Sequence, residues 1–482
     1  MALIFLGFVL ALVLLIYLSF SPPKELTSLV SIPTYEVLLS TFLCFPFNER
    51  VKLDKRYLTL GNKMARFFHR GAWAVFVSSE ENIKQILADT LTFQKFIVSE
   101  NFPRSAFAKM MGINVLESNG DIWKRHRKAV SPPFKSQFEP EIFNSLSLQL
   151  IEALLESKSP TNIHAYIQRL TIDALGKALL GVDFGSLAEK NSSFVSAYNR
   201  FIFEFIKPIY FIFPFLDSPR NPFRRQIFQD LAVVDNYLLE VISQCREAYK
   251  ENPAKKAHLL SYMFDQEGEF SDKEIRDNIM VFFLAGHDTT STSLSIALYH
   301  LAKYPEVQQK ARQEIIRVLG PDASIPPLAV DLKNLPYLTA IIKETLRLFP
   351  PVTILPERVA SKDTVIQGQV IPKGTVVLMH TYLMQRDPDC WDAPDSFRPE
   401  RFLEPHSKLN RINSAWSPFG GGTRQCLGMG FSLMEQRVVL SSILRHFAIS
   451  FPAGHASDLV LSSCSLISPV GLKLKFSSLK RS

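Results

Sequence analysis

Cysteine is scarce in this chain. There are 5 in 482 residues, scattered at Cys44, Cys245, Cys390, Cys426 and Cys464 with no Cys-x-x-Cys pair. An odd, dispersed set excludes a disulfide framework and points to free thiols in a reducing compartment. Tryptophan is scarcer still, 4 against 38 phenylalanines and 13 tyrosines, a balance that suits apolar cavities and membrane contact better than polar recognition. No internal repeat, low-complexity tract, zinc-finger spacing or nucleic-acid motif occurs. The net charge of +8 therefore reads as attraction to an anionic membrane surface or an acidic protein, with no nucleic acid among the expected partners.

Charge is also missing from Met1 to Phe20. As a helix this stretch reaches about 30 Å, enough to cross the hydrocarbon core of a bilayer. A cleaved signal peptide is the rival reading. Against it, the apolar run is long, no Lys or Arg precedes it, and no clear small-residue cleavage site follows. Lys24, Arg50, Lys52, Lys55 and Arg56 all come after the segment, which puts the body of the protein on the cytoplasmic side. The expected division is an anchor over 1–20, a linker and membrane-proximal segment over 21–50, and one large domain over 51–482.

Helical periodicity runs from about Ile83 to Leu348. Its clearest helix opens at Ser271-Asp272-Lys273-Glu274, a capping box with Ser at N-cap and Glu at N3. Nothing interrupts it before Tyr304-Pro305, so it spans roughly 50 Å and predicts a central helix crossing the molecule. After Pro350 the pattern changes. Thr364 to Leu378 reads as short β-strands joined by turn residues, and a last hairpin is expected around Leu459 to Phe476. The fold class is mainly α with a small β region.

Phe419-Gly420-Gly421-Gly422-Thr423-Arg424-Gln425-Cys426-Leu427-Gly428 is the most informative stretch. Glycines let a backbone approach a flat ligand closely. A cysteine beside a helix N-terminus is biased toward thiolate, which is what a buried metal needs as an axial ligand, and Arg424 can neutralise an acidic group on the same ligand. A phosphate cradle lacks its Gly-Lys-Ser/Thr here, and a dinucleotide fingerprint fails at Gln425. An inert core cysteine is the other bland reading. The string Phe-x-x-Gly-x-Arg-x-Cys-x-Gly resembles the haem-binding loop of the cytochrome P-450 family, and the resemblance extends over nearly the whole chain after the anchor.

That resemblance implies the family fold, haem b (iron protoporphyrin IX) as cofactor, and Cys426 as the axial ligand to its iron. Phe419 belongs to the same loop. Arg424, Arg358 and the pair Trp123 and Arg127, set i, i+4 on one helix face, would bind the haem propionates. Ala285-Gly286-His287-Asp288-Thr289-Thr290 matches the family's oxygen-activation string. Asp288 and Thr289 would deliver protons that help cleave the O–O bond, while Ala285 and Gly286 make space for dioxygen. His287 is expected to pack. So many hydroxyl residues in mid-helix predict a local opening of that helix. Glu344 and Arg347, with Arg401 from Phe397-Arg398-Pro399-Glu400-Arg401-Phe402, resemble a structural network on the haem side of the core. The default for Trp123-Lys124-Arg125-His126-Arg127-Lys128 is a solvated face, and Lys124, Arg125 and Lys128 are candidates for steering an acidic electron donor.

Phe201, Phe203, Phe205, Phe211, Phe213 and Phe215, together with Phe282 and Phe283, favour a lipophilic substrate without naming one. The reading is a haem-thiolate monooxygenase that consumes O2 and draws electrons from NADPH through a separate reductase, since the chain carries no flavin or nicotinamide domain. Relatives with such an anchor imply NADPH–cytochrome P-450 reductase, with cytochrome b5 a candidate second donor, at the endoplasmic reticulum membrane. The single-pass chain would hold its catalytic domain in the cytoplasm. Two alternatives stay open: a haem-thiolate isomerase or dehydratase acting on hydroperoxides, and a non-catalytic haem-binding or lipid-carrier protein.

Overall fold

The computed structural model describes residues 21–479 apart from 44, 136–139, 158–159, 189–192, 206, 208, 211–212, 214–215, 253–258, 266–269, 323–324, 405–414, 455–457 and 463–465. The anchor expected over Met1–Phe20, Cys44, Cys464, Phe211 and Phe215 lie outside the described residues, as do the side chains of Phe203 and Phe205. Among the described residues, no helix is long and apolar enough to cross a membrane.

The helices that position the site are α1 (Gly120–Lys135), α2 (Glu141–Glu156), α3 (Ile163–Leu175), α4 (Ser193–Phe205), α5 (Arg225–Glu251), α6 (Asp272–Lys303), α7 (Pro305–Leu319), α8 (Pro336–Leu348) and α9 (Met429–His446). Helix α6 is the 32-residue centrepiece, about 48 Å long at helical rise. Ser271 starts it as read from the sequence: Ser271 Oγ accepts from the Glu274 amide at 3.2 Å, and a Glu274 carboxylate oxygen accepts from the Ser271 amide at 3.0 Å. Pro305 opens α7 directly beyond it. Most of α6 is buried because α3, α5, α8 and α9 pack around it, which makes it the axis of the apolar core.

A five-stranded sheet lies outside that bundle. Its strands are β1 (Met64–His69), β2 (Ala72–Val77), β3 (Phe93–Lys95), β4 (Leu355–Ala360) and β5 (Val376–Met379), in spatial order β1-β2-β5-β4-β3. Only the β2–β5 pair is parallel. The β3–β4 register sets Lys95 opposite Arg358.

Two boundaries differ from the sequence reading, while the short strands expected over Thr364 to Leu378 are present. Residues 21–50 are not a loose linker: Leu26 is fully buried, its carbonyl accepts from Arg66 Nη1 at 2.8 Å, and the helix Phe47–Leu60 runs across the expected boundary. The β1–β2 hairpin, absent from the sequence reading, is what those residues pack on. Between Thr364 and Leu378, Thr364–Ile366 and Gln369–Ile371 pair with each other while Val376–Met379 joins the large sheet. At the C-terminus, Leu461 bridges Pro469, but the following strand Lys473–Ser478 pairs with Phe447–Ser450 and Thr161–Asn162 instead of closing one hairpin.

Candidate active site

The cysteine loop precedes α9, and two amides at that helix start, those of Gly428 and Met429, hydrogen-bond the Cys426 thiol. The loop is closed by the Cys426 amide donating to the Phe419 carbonyl at 3.0 Å. Gly420 and Gly422 have φ of +67° and +65°, which side chains disfavour. A Cβ on Gly422 would sit 2.3 Å from the Leu87 carbonyl oxygen. That close approach is thus to the helix Glu80–Ala88, so this glycine shapes the loop from behind. Burial pushes the Cys426 thiol up, while the two amides and Arg127 pull it down. The helix-terminus effect expected from sequence is therefore present but outweighed in the protein alone. The thiol opens onto a cleft of about 570 Å³ shared with Trp123, Arg127 and Phe134.

Four cationic side chains converge beside it. Arg424 lies with its guanidinium 3.9 Å from the Trp123 ring centre and donates Nη2 to the Ser118 carbonyl at 2.9 Å, yet its Nε and Nη1 are buried without a partner. Arg358 is 2% exposed, and its Nε and Nη1 are likewise unpartnered. Arg127 donates to the Gln425 carbonyl at 3.0 Å. Lys95, absent from the sequence reading, is the fourth. Burial and the charges of Arg358 and Arg424 hold its ammonium well below the usual lysine range, and only Glu117 opposes them. Burial brings Arg424 down to about 9 and Arg358 to about 10. Buried cations without matching carboxylates are costly unless a ligand supplies the negative charge.

Asn119 organises this corner. Its Oδ1 accepts from the Lys95 amide at 3.0 Å and its Nδ2 donates to the Lys95 carbonyl at 2.9 Å, and Oδ1 also lies 3.2 Å from Arg424 Nη2. One amide side chain thus fixes β3, Arg424 and the entry to α1. No motif marks Asn119 or Lys95; the β3–β4 register brings Lys95 to the site, and Asn119 joins it through these hydrogen bonds.

Helix α6 is assigned continuous through the hydroxyl cluster, so the expected local opening is absent. The hydroxyls are satisfied without it. Thr289 Oγ1 donates to the Ala285 carbonyl at 2.6 Å. Thr290 Oγ1 lies 3.0 Å from Ser432 Oγ, and Ser293 donates to Gln436 at 2.7 Å, tying α6 to α9. Ala285 is exposed between half-buried neighbours in the middle of this largely buried helix and so borders an open space. Gly286 also has a packing job: a Cβ there would lie 2.8 Å from Leu175 Cδ2, so its smallness serves the close packing of α6 on α3. Asp288 Oδ2 is buried without a partner, and burial raises its carboxyl.

Glu344, Arg347 and Arg401 come together with little or no solvent contact. Glu344 accepts from Arg347 Nε at 2.7 Å, Arg347 Nη2 at 2.8 Å, Arg401 Nε at 3.0 Å and the Arg398 amide at 2.9 Å. Arg347 also donates to the carbonyls of Gln385, Pro394 and Ser396. On α1, Lys124 and Lys128 are exposed, but Arg125 pairs with Glu274 and lies over the Phe270 ring, so it does not project toward a partner. Phe201 is core, and Phe283 is fully buried against Phe184 and Phe194. Phe282, next to Phe134 at 5.3 Å between ring centres, is the one nearer the cleft.

Comparison with known proteins fits this geometry. A family model described as cytochrome P-450 matches residues 39–476. The chain is 30% identical over 436 residues to cytochrome P-450 4d2 of Drosophila melanogaster, covering 83% of this chain and 84% of that protein. It is 32% identical over 410 residues to cytochrome P-450 3A7 of Homo sapiens, covering 79% of each. Cytochrome P-450-DIT2 of Saccharomyces cerevisiae is 28% identical over 480 residues, 94% of this chain and 93% of its own.

Proposed function

Because this chain belongs to the cytochrome P-450 family and is a haem-dependent monooxygenase, we propose that Cys426 ligates the haem iron and that Lys95, Arg127, Arg358 and Arg424 receive the two propionates. The unpartnered guanidinium nitrogens of Arg358 and Arg424 carry this reading. They are oriented, desolvated donors that a dianionic ligand would satisfy, and Trp123 holds Arg424 flat against its ring. Phe419 caps the loop around the thiol by accepting the Cys426 amide. Haem, when bound, supplies the iron at which dioxygen is activated. The protein's own contribution is to orient the thiolate through two amides, to neutralise the propionates, and to deliver protons.

Asp288 and Thr289 carry that last task. Asp288 is an acid held in a buried setting, where a proton is retained more readily than in water. Thr289 stands next to it beside Ala285, on the open side of the helix. Its hydroxyl can turn from the Ala285 carbonyl toward a reacting oxygen. With reductase, NADPH and a panel of lipophilic compounds, the wild type should yield a product carrying one atom from labelled dioxygen. Thr289→Ala should still consume NADPH but send a severalfold larger share to hydrogen peroxide. Full coupling of NADPH to product in the variant would remove Thr289 from the scheme.

Electrons come from a separate redox partner, for which NADPH–cytochrome P-450 reductase is the proposed donor and cytochrome b5 an auxiliary one. The exposed Lys124 and Lys128 beside the cleft support docking of an acidic surface there. A further part of the proposal is an uncleaved anchor over residues 1–20 in the endoplasmic reticulum membrane with a cytosolic body, supported by the uncharged run and the basic residues after it. Deleting about twenty residues, one bilayer crossing, should release much of the protein from alkaline-washed membranes. Protection of the body from protease added outside intact microsomes would reverse the topology.

A further inference from the structure

His287 lies between Asp288 and α3 and is 2% exposed. Its Nδ1 lies 2.8 Å from Thr171 Oγ1, and the Thr171 hydroxyl donates to the Gln168 carbonyl at 3.1 Å. A hydroxyl has one proton to give. A hydroxyl proton given to Nδ1 leaves the ring hydrogen on Nε2, whereas one given to Gln168 makes Thr171 the acceptor and puts the ring hydrogen on Nδ1, the arrangement adopted in the proposal below. Nε2 is then a bare lone pair, and it faces Asp288 Oδ1 across 3.8 Å. Two acceptors facing each other repel in a buried site. A proton on the carboxyl relieves the repulsion, and a small side-chain rotation closes 3.8 Å to hydrogen-bond distance.

We propose that His287, locked by Thr171 as a hydrogen-bond acceptor, keeps Asp288 protonated, so that the central helix stores a proton beside Thr289. His287 is a positioning residue here. One proton leaves the carboxyl for the oxygen site and one returns from solvent, leaving the imidazole unchanged over a cycle. The inference rests on the reading of Asp288 as proton donor.

The surroundings agree. The titratable groups facing His287 are His164 and Asp173 from α3, Tyr198 from α4, and Asp288 from its own helix. His164 is held down to about 4 by burial and by His287, so it is neutral at neutral pH and bonds Ser295. Asp173 is engaged by the Ser186 and Leu187 amides at 2.9 and 3.0 Å. Tyr198 sets its ring edge-on to His287, with a buried hydroxyl that has no partner. Burial, the largest influence on each, lowers His287 and raises Asp288; their mutual attraction and a side-chain hydrogen bond from Gln168 to the Asp288 carboxyl pull the other way and are outweighed.

Carbon monoxide photolysis infrared difference spectra of the haem-loaded protein test this directly. A carboxylic-acid carbonyl band should be present in the wild type and missing in Asp288→Asn. In His287→Phe, which keeps the ring and removes the acceptor, that band should move or vanish, and coupling of NADPH to product should fall roughly tenfold, a fraction of what a proton donor contributes. His287→Gln, whose carbonyl oxygen can replace Nε2, should restore most of the coupling. The wild-type coupling should decline as pH rises through the Asp288 pKa, and that limb should shift in His287→Phe. No carbonyl band in the wild type, or an unmoved band and full coupling in His287→Phe, overturns the proposal. Unchanged coupling in Asp288→Asn would instead show that Asp288 is not the donor at all.

Discussion

Cys426→Ala should abolish the long-wavelength reduced carbon monoxide band that marks haem held by a thiolate. The expected loss is complete, because no other described cysteine can substitute. Cys390 lies against Glu80, and burial with the neighbouring carboxylates pushes its thiol up to about 12. Cys245 faces the Leu180 carbonyl and is likewise raised by burial. Neither neighbours the amides of Gly428 and Met429 that orient a sulfur at the start of α9. Cys390→Ala is the control and should keep the band. Reduced, carbon monoxide-treated Cys426→Ala protein showing the wild-type spectrum would mean that the iron is held elsewhere.

Glu344→Ala should fail to accumulate as folded, haem-loaded protein. The carboxylate receives four hydrogen bonds from three residues. Removing it leaves Arg347 and Arg401 as buried cations held by backbone carbonyls and the face of Trp391, with no counter-charge. Breaking one member of such a group costs about 3–5 kcal/mol, against a total stability of about 5–15 kcal/mol for an ordinary domain. Gln at this position keeps some hydrogen bonds but no charge, so Glu344→Gln should lie between the wild type and Ala in thermal midpoint. Normal haem content and melting in the Ala variant would show that the network contributes little.

Local chemistry was readable where the reasons were local. The capping box at Ser271 and Glu274 is a contact between neighbours in sequence, and the cysteine loop carries its glycines, arginine and thiol in ten consecutive positions. What depended on distant pairing was not readable. Lys95 sits in a three-residue strand that looks like any exposed edge, and only its register with Arg358 turns it into part of the cation cluster. The hydroxyls of α6 look like helix breakers in isolation. Their partners, Ser432 and Gln436, come from a helix far along the chain, and with those partners the helix has no reason to open. The packing of Gly286 was hidden for the same reason: absence of a side chain has a direction, and that direction is toward Leu175 on α3. The 21–50 segment reads as a linker in isolation, yet the β1–β2 hairpin gives its apolar residues a surface to cover.

The bonds from Thr290 to Ser432 and from Ser293 to Gln436 have a bearing on tolerance to change. Helix α6 carries the residues proposed to deliver protons and α9 follows the thiol, so these bonds set the gauge between the two helices. Apolar contacts alone would let that gauge drift with each methyl group gained or lost nearby. Polar pairs with a fixed length act as spacers, and fix axial register as well as separation. Apolar residues elsewhere on the two helices can therefore be exchanged while the spacing and register of α6 against α9 are kept.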